Sequence, residues 1–132
     1  MIQTRLMDKQ GMPTNSIIQT KSLAFAIRIV KLTNYLFSKR EYIISKQILR
    51  SGTSIGANIE EAYGGTTTKE FRLRISISYR EARETLFWLI ILKEGGYLDL
   101  LLFNSLSQDC RELIKILSSI HKTIKANDKQ SK

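Results

Sequence analysis

Proline occurs only at position 13 of this chain. No later residue lacks a backbone N–H or carries a ring that blocks a helical turn, so everything after it is open to continuous helix. The breaks fall instead at three short points: Lys39-Arg40-Glu41, Gly64-Gly65 and Gly95-Gly96. Between them apolar residues recur with the three-four spacing of an amphipathic helix. Four helices joined by short turns must run antiparallel to their neighbours, so the expected fold is an all-α, up-down-up-down four-helix bundle. A length of 132 residues suits one domain with a small core. Residues 1–15 are expected to be a flexible N-terminal arm, with Gly11 and Pro13 as breakers. Residues 16–126 form the bundle, and 127–132 a disordered tail.

The first helix is expected from about Ser16 to Phe37, capped by Thr14, Asn15 or Ser16. It carries two apolar stripes. Leu23, Ala26, Ile27, Val30 and Phe37 are read as its core stripe. Phe25, Ile29, Leu32 and Leu36 lie on nearly the opposite side. A helix apolar on two faces is either surrounded or touches another subunit. The subunit contact fits a four-helix domain, which makes this second stripe the expected oligomer interface; packing beneath the N-terminal arm is the alternative. The second helix, about Tyr42 to Tyr63, has Ile44, Ile48, Ile55, Ile59 and Ala62 as its core stripe. Gly52 and Gly56 lie four apart in it, a costly choice that points to close approach by another helix. The segment is not a phosphate-binding loop, since no strand precedes it and the Gly-Lys-Ser/Thr ending is missing.

Thr67 and Glu70 match a capping box for the third helix, expected from about Thr68 to Glu94 with Phe71, Ile75, Ala82, Leu86 and Leu89 inward. Asp99 is positioned to cap the fourth, which runs to about Ala126. There Leu102, Leu106, Cys110, Leu113, Leu117, Ile120 and Ile124 share a stripe. Cys110 is thus expected as a small core residue rather than a nucleophile.

One cysteine and one histidine, His121, exclude a disulfide framework and a His/Cys metal cluster. No cofactor is expected, and the absence of disulfides suits a reducing cytoplasm. The N-terminus has no apolar h-region of a signal peptide. The longest apolar run, Leu86 to Leu92, is too short to span a membrane. Lysine and arginine total 21 against 12 acids, a formal charge of +9. That balance favours a polyanionic partner, RNA or DNA, or an anionic surface.

Two polar constellations remain. Gln47, Ser51, Ser54 and Asn58 share a stripe of the second helix, with Arg50 and Glu61 at its edge. Glu81 and Glu84 sit near Ile77 and Trp88 on the third. Carboxylates among apolar neighbours need partners, so Arg50, Ser51, Ser54, Asn58, Glu81 and Glu84 are expected to form a structural network. The enzymatic alternative, a carboxylate pair or di-metal site, lacks the Glu-x-x-His motifs such bundles use. On the third helix Lys69, Arg72, Arg80 and Arg83 share a face with Ser76 and Tyr79 between them, a pattern suited to phosphate and base contact. The plainer alternative is a solvated face whose charges pair internally, as Glu70–Arg74 and Arg80–Glu84.

The stretch Gln47-Ile48-Leu49-Arg50-Ser51-Gly52-Thr53-Ser54-Ile55-Gly56-Ala57-Asn58-Ile59-Glu60-Glu61-Ala62 resembles the signature of the bacterial four helix bundle protein family. That family includes proteins encoded in 23S ribosomal RNA intervening sequences. Arg80 to Leu89 and Gly95-Gly96-Tyr97-Leu98 are similar to its later motifs. The resemblance spans about residues 17 to 125. It implies a homopentameric ring and distant kinship with the accessory variability proteins of diversity-generating retroelements, which bind nucleic acid and a reverse transcriptase. It implies no catalytic residues. The expected function is a non-enzymatic homo-oligomer that binds RNA or DNA through basic faces; the alternative is a protein-only scaffold docking a partner such as a reverse transcriptase.

Overall fold

The computed structural model describes residues 16–65 and 67–130, with side chains through 127. The expected N-terminal arm, residues 1–15, lies outside the described residues. Four helices follow in order: α1 Ile17–Ser38, α2 Ile43–Gly64, α3 Thr68–Glu94 and α4 Leu100–Gln130. No strand occurs among the described residues. Each helix packs on its neighbours in sequence, and α4 returns to α1 to close the bundle. Cross-helix pairs fix the antiparallel sense, as Ser51 meets Thr85 while Ser78 meets Ile55.

The turns follow from the residues at the breaks. Ser16 caps α1 in a capping box with Gln19. At the end of α1 the Arg40 N–H donates to the Phe37 carbonyl and the Glu41 N–H to that of Leu36, both at 2.9 Å. This left-handed closure puts Arg40 at φ 63°, a region that disfavours side chains. Gly96, at φ 89°, makes the same closure after α3 without that cost. Thr67 accepts the Glu70 N–H at 3.0 Å, which is the threonine half of the expected capping box, and Asp99 accepts that of Leu102 at 2.7 Å. Tyr42 gives no side-chain cap to α2. Glu41 does so instead, its carboxylate accepting the N–H groups of Ile43, Ile44 and Ser45 at 3.2, 3.1 and 2.6 Å. Burial pushes this carboxyl up, but those bonds and the Ser45 hydroxyl outweigh it and hold the pKa below the ordinary value. The fourth helix overruns its expected end at 126. Nothing from Asn127 to Gln130 is proline or glycine, so the helix continues through part of the expected tail; residues 131 and 132 lie outside the described residues.

The core confirms the inward stripes of α2, α3 and α4: Ile48, Ile55, Ile59, Ile75, Ala82, Leu89, Leu106, Cys110, Leu113 and Leu117 are buried. In α1 the expectation is reversed. Phe25, Ile29, Leu32 and Leu36 are 1%, 0%, 4% and 0% exposed inside the protomer's own core, so they are not its oligomer interface. Leu23, Ile27, Val30 and Phe37, expected inside, are exposed. The cause lies on α2. A Cβ built on Gly52 would fall 2.9 Å from Ile29 Cγ1, and one on Gly56 3.3 Å from Ser22 Oγ. The two glycines thus draw in the α1 face that carries Ser22 and Ile29. The polar groups on that face bond their own helix: Ser22 donates to the Gln19 carbonyl and Thr33 to that of Ile29.

The α1–α4 seam is the thinnest of the four. It is tied by Lys21–Glu112 at 3.1 Å and Arg28–Asp109 at 2.7 Å. Arg28 also donates to the Ser105 hydroxyl at 2.9 Å. Beside these ties lies a hollow of about 310 Å³ over Leu32 and Leu106.

Candidate nucleic-acid interface

The expected polar network occupies the α2–α3 seam. Arg50 on α2 spans one helical turn of α3, donating to Glu81 at 3.2 Å and also to Glu84. Glu84 in turn accepts the Trp88 indole N–H at 2.9 Å. These groups are half-buried: the side chains of Arg50, Glu81 and Glu84 are 48%, 20% and 36% exposed. The buried part lies alongside, where Thr85 Oγ1 is 2.8 Å from both Ser51 Oγ and the Glu81 carbonyl. Asn58 accepts from Arg74, which also pairs with Glu61 at 3.4 Å. Ser54 enters only through its carbonyl, which accepts from Asn58. Arg74, Ser78, Thr85 and Trp88 were missed as members. Their signal was present, since with Glu81 they recur every three or four residues on one face of α3.

In this seam Glu61, Glu81 and Glu84 each face an arginine. Cys110 is fully buried in the core. Burial pushes its thiol up to about 12, with Asp109 adding to the rise and Arg111 opposing it. Its Sγ donates to the Ala82 carbonyl at 3.3 Å. Among the described residues no three His, Cys, Asp or Glu side chains gather as a metal site. No helix among them is long and apolar enough to cross a membrane.

The basic residues of α3 face a different seam. Three contiguous hollows of about 760, 520 and 570 Å³ run along the groove between α3 and α4, sharing Tyr79, Ser118 and Lys122, then Ser76 and His121. Arg83 lines the first, Arg80 the second, and Lys69 and Arg72 the third, so the structure strings all four expected residues along one groove. The α4 lip adds Arg111, Lys115 and Lys122. They recur at four and seven residues, the spacing of one helix face. Reading α4 for its apolar stripe alone hid them.

The charges are sorted by seam. Internal pairing on α3, as Glu70–Arg74 and Arg80–Glu84, does not form: Arg74 turns to Glu61 and Glu84 to Arg50. On α4, Asp109 and Glu112 turn to α1. Arg80, Arg83, Arg111, Lys115 and Lys122 therefore face the groove with no acid paired to them among the described residues. Among the described residues Glu70, at one end, is the acid that lines it.

Comparison with known proteins agrees with the fold. A crystal structure of a protein of unknown function from the S23 ribosomal protein family, from Bacteroides thetaiotaomicron VPI-5482, is similar at 43% identity and a TM-score of 0.78. The match covers 80% of this chain and 98% of that one. No curated protein matches the chain. The profile of the 23S rRNA-intervening sequence protein family matches residues 14–119, spanning all but the last turns of the bundle, and the chain belongs to that family.

Proposed function

We propose that the protein is a non-enzymatic homo-oligomer that binds RNA or DNA through the basic α3–α4 groove. The observation that carries the reading is the sorting of charge: Asp109 and Glu112 of α4 and most of the acids of α3 are drawn to other seams or to neighbouring lysine, and Arg80, Arg83, Arg111, Lys115 and Lys122 are left along one groove. Dispersed surface charge would not be sorted in this way, and a clustered cationic groove focuses attraction on a polyanion.

The oligomer contact belongs on the outer α1 stripe. Leu23, Ile27, Val30 and Phe37 are 43%, 37%, 45% and 39% exposed along one outer face of α1, a contiguous apolar strip of the kind that serves protein association. Five copies is the number implied by the family resemblance. The same stripe also favours the second reading, a cytoplasmic scaffold that docks another protein. Light scattering separates the two readings. A self-assembled protein gives a multiple of the protomer mass that Ile27→Asp with Val30→Asp reduces to one, with helical circular dichroism unchanged. A parent that is already monomeric favours the scaffold.

Binding is tested by fluorescence anisotropy of labelled RNA and DNA across a salt series. Replacing Arg80 and Arg83 with glutamine should weaken binding to all sequences alike. It should also flatten the log–log salt slope by about 0.7 per lost single-strand phosphate contact. Lys125→Gln, beyond the groove, should do less. No binding at low salt refutes the proposal.

A further inference from the structure

The α3–α4 groove is not lined by charge alone. Phe87 stands at its mouth, 54% exposed. Its ring is held edge-on against Trp88, centroids 5.1 Å apart. One pair of turns away Tyr79 accepts a bond from Arg83 at 3.2 Å, and the guanidinium lies 5.8 Å from the ring centroid. Between the lips the floor is apolar, from Leu86 and Ile114. Cations above an aromatic platform match a nucleotide, whose phosphate is anionic and whose base has an apolar face. The hollow around Phe87, about 760 Å³, lies within the roughly 300–1,000 Å³ range of small-ligand sites.

We infer that this groove takes an unpaired stretch of polynucleotide, with a base stacked on Phe87 and its phosphates on Arg83, Arg111, Lys115 and Lys122. The inference rests on the proposed nucleic-acid function and names the form of its ligand. A duplex does not fit. Its bases are stacked on one another and leave no free face for the Phe87 ring. Its major groove, about 12 Å wide, admits one helix and not two lying roughly 8–10 Å apart. The deep major groove of double-stranded RNA is narrower still. A second copy of this chain is a poor match for so cationic a groove, since each copy carries a formal charge of +9.

The test uses short single-stranded and duplex RNA of matched length, with 2-aminopurine in the single strand. The single strand should bind at least about tenfold more tightly, with 2-aminopurine fluorescence quenched on binding. Phe87→Ala and Phe87→Leu should each lower its affinity by roughly 5- to 150-fold and abolish the quenching, with the salt slope unchanged. Arg111→Gln with Lys115→Gln should flatten the slope and keep the quenching. Equal binding of duplex, with Phe87→Ala silent, overturns the inference, and continued dependence on Arg80 and Arg83 would leave the broader function standing. Absence of all binding overturns both. A change in oligomer mass on Phe87→Ala, or tighter Phe87-dependent binding of poly-glutamate than of RNA, assigns the groove to protein and also overturns the inference.

Discussion

The contact between Gly52 and Ile29 makes a substitution whose sign depends on its partner. Alanine in place of a helical glycine stabilises by about 1 kcal/mol through backbone entropy. At Gly52 the new methyl would lie 2.9 and 3.0 Å from the two γ-carbons of Ile29, and 3.3 Å from its Cβ. Ile29 is fully buried, and its branched side chain is held in one rotamer by its own helix. Overpacking of this kind costs about 1–3 kcal/mol. Gly52→Ala should therefore destabilise by about 1 kcal/mol net, the propensity gain being outweighed. Ile29→Ala alone should cost about 2–5 kcal/mol. In the Ile29→Ala background the crowded γ-carbons are gone. There Gly52→Ala should instead stabilise by about 1 kcal/mol, a coupling of roughly 1–3 kcal/mol between the two sites. Urea unfolding followed by circular dichroism, at one fixed protein concentration, measures all four proteins. If Gly52→Ala has the same sign and size in both backgrounds, the helices do not meet through these residues and the reasoning fails.

Arg40→Gly should stabilise by about 0.5–1 kcal/mol, read as a shift in the urea midpoint, because glycine occupies the left-handed turn without the side-chain penalty; a loss of stability would refute the strain. Glu41→Gln should cost about 1 kcal/mol at neutral pH, the worth of a helix cap. The depressed Glu41 pKa means that this contribution is present above the ordinary glutamate value and lost as pH falls through the lower folded one. Parent and variant stabilities should accordingly converge in acid, and a gap that persists there would contradict the assignment. Glu81→Ala should cost about 1 kcal/mol or less by thermal melting. Arg50 is 48% exposed and keeps Glu84 as a partner. A loss of about 3–5 kcal/mol would mean the pair behaves as fully buried.

Helix number, order and turns were legible because their determinants are local: the glycine pairs, Thr67, Asp99 and the absence of later proline. Which face of α1 turns inward was not local. Both stripes are apolar, and the choice was made by Gly52 and Gly56 on another helix. A finer signal existed in α1 itself. Ile18, Ser22, Phe25, Ile29, Leu32 and Leu36 alternate steps of four and three without a gap, whereas the rival stripe is interrupted at Asn34. Seating Ser22 in that series requires accepting a buried hydroxyl, which its bond to the Gln19 carbonyl permits. The groove was half legible. Lys69, Arg72, Arg80 and Arg83 share a face by spacing, but which helix borders that face is a tertiary fact. The Glu41 cap was hidden because a carboxylate two residues before a helix reads as an ordinary polar break.

The seam between α1 and α4 gives the molecule a direction in which to breathe. The bundle is two hairpins, α1–α2 and α3–α4, hinged along a broad, hydrogen-bonded α2–α3 contact. Opposite the hinge the hairpins meet through ion pairs whose four side chains are 34–49% exposed, beside a hollow. Exposed ion pairs hold weakly and are screened by salt. The cheapest excursion from the folded state is thus a parting of α1 from α4, which wets Leu32 and Leu106 first and leaves the hinge closed. In such an opening the facing side chains of α1 and α4 meet water while each helix keeps its own backbone bonds, and the α2–α3 contact is the last to part.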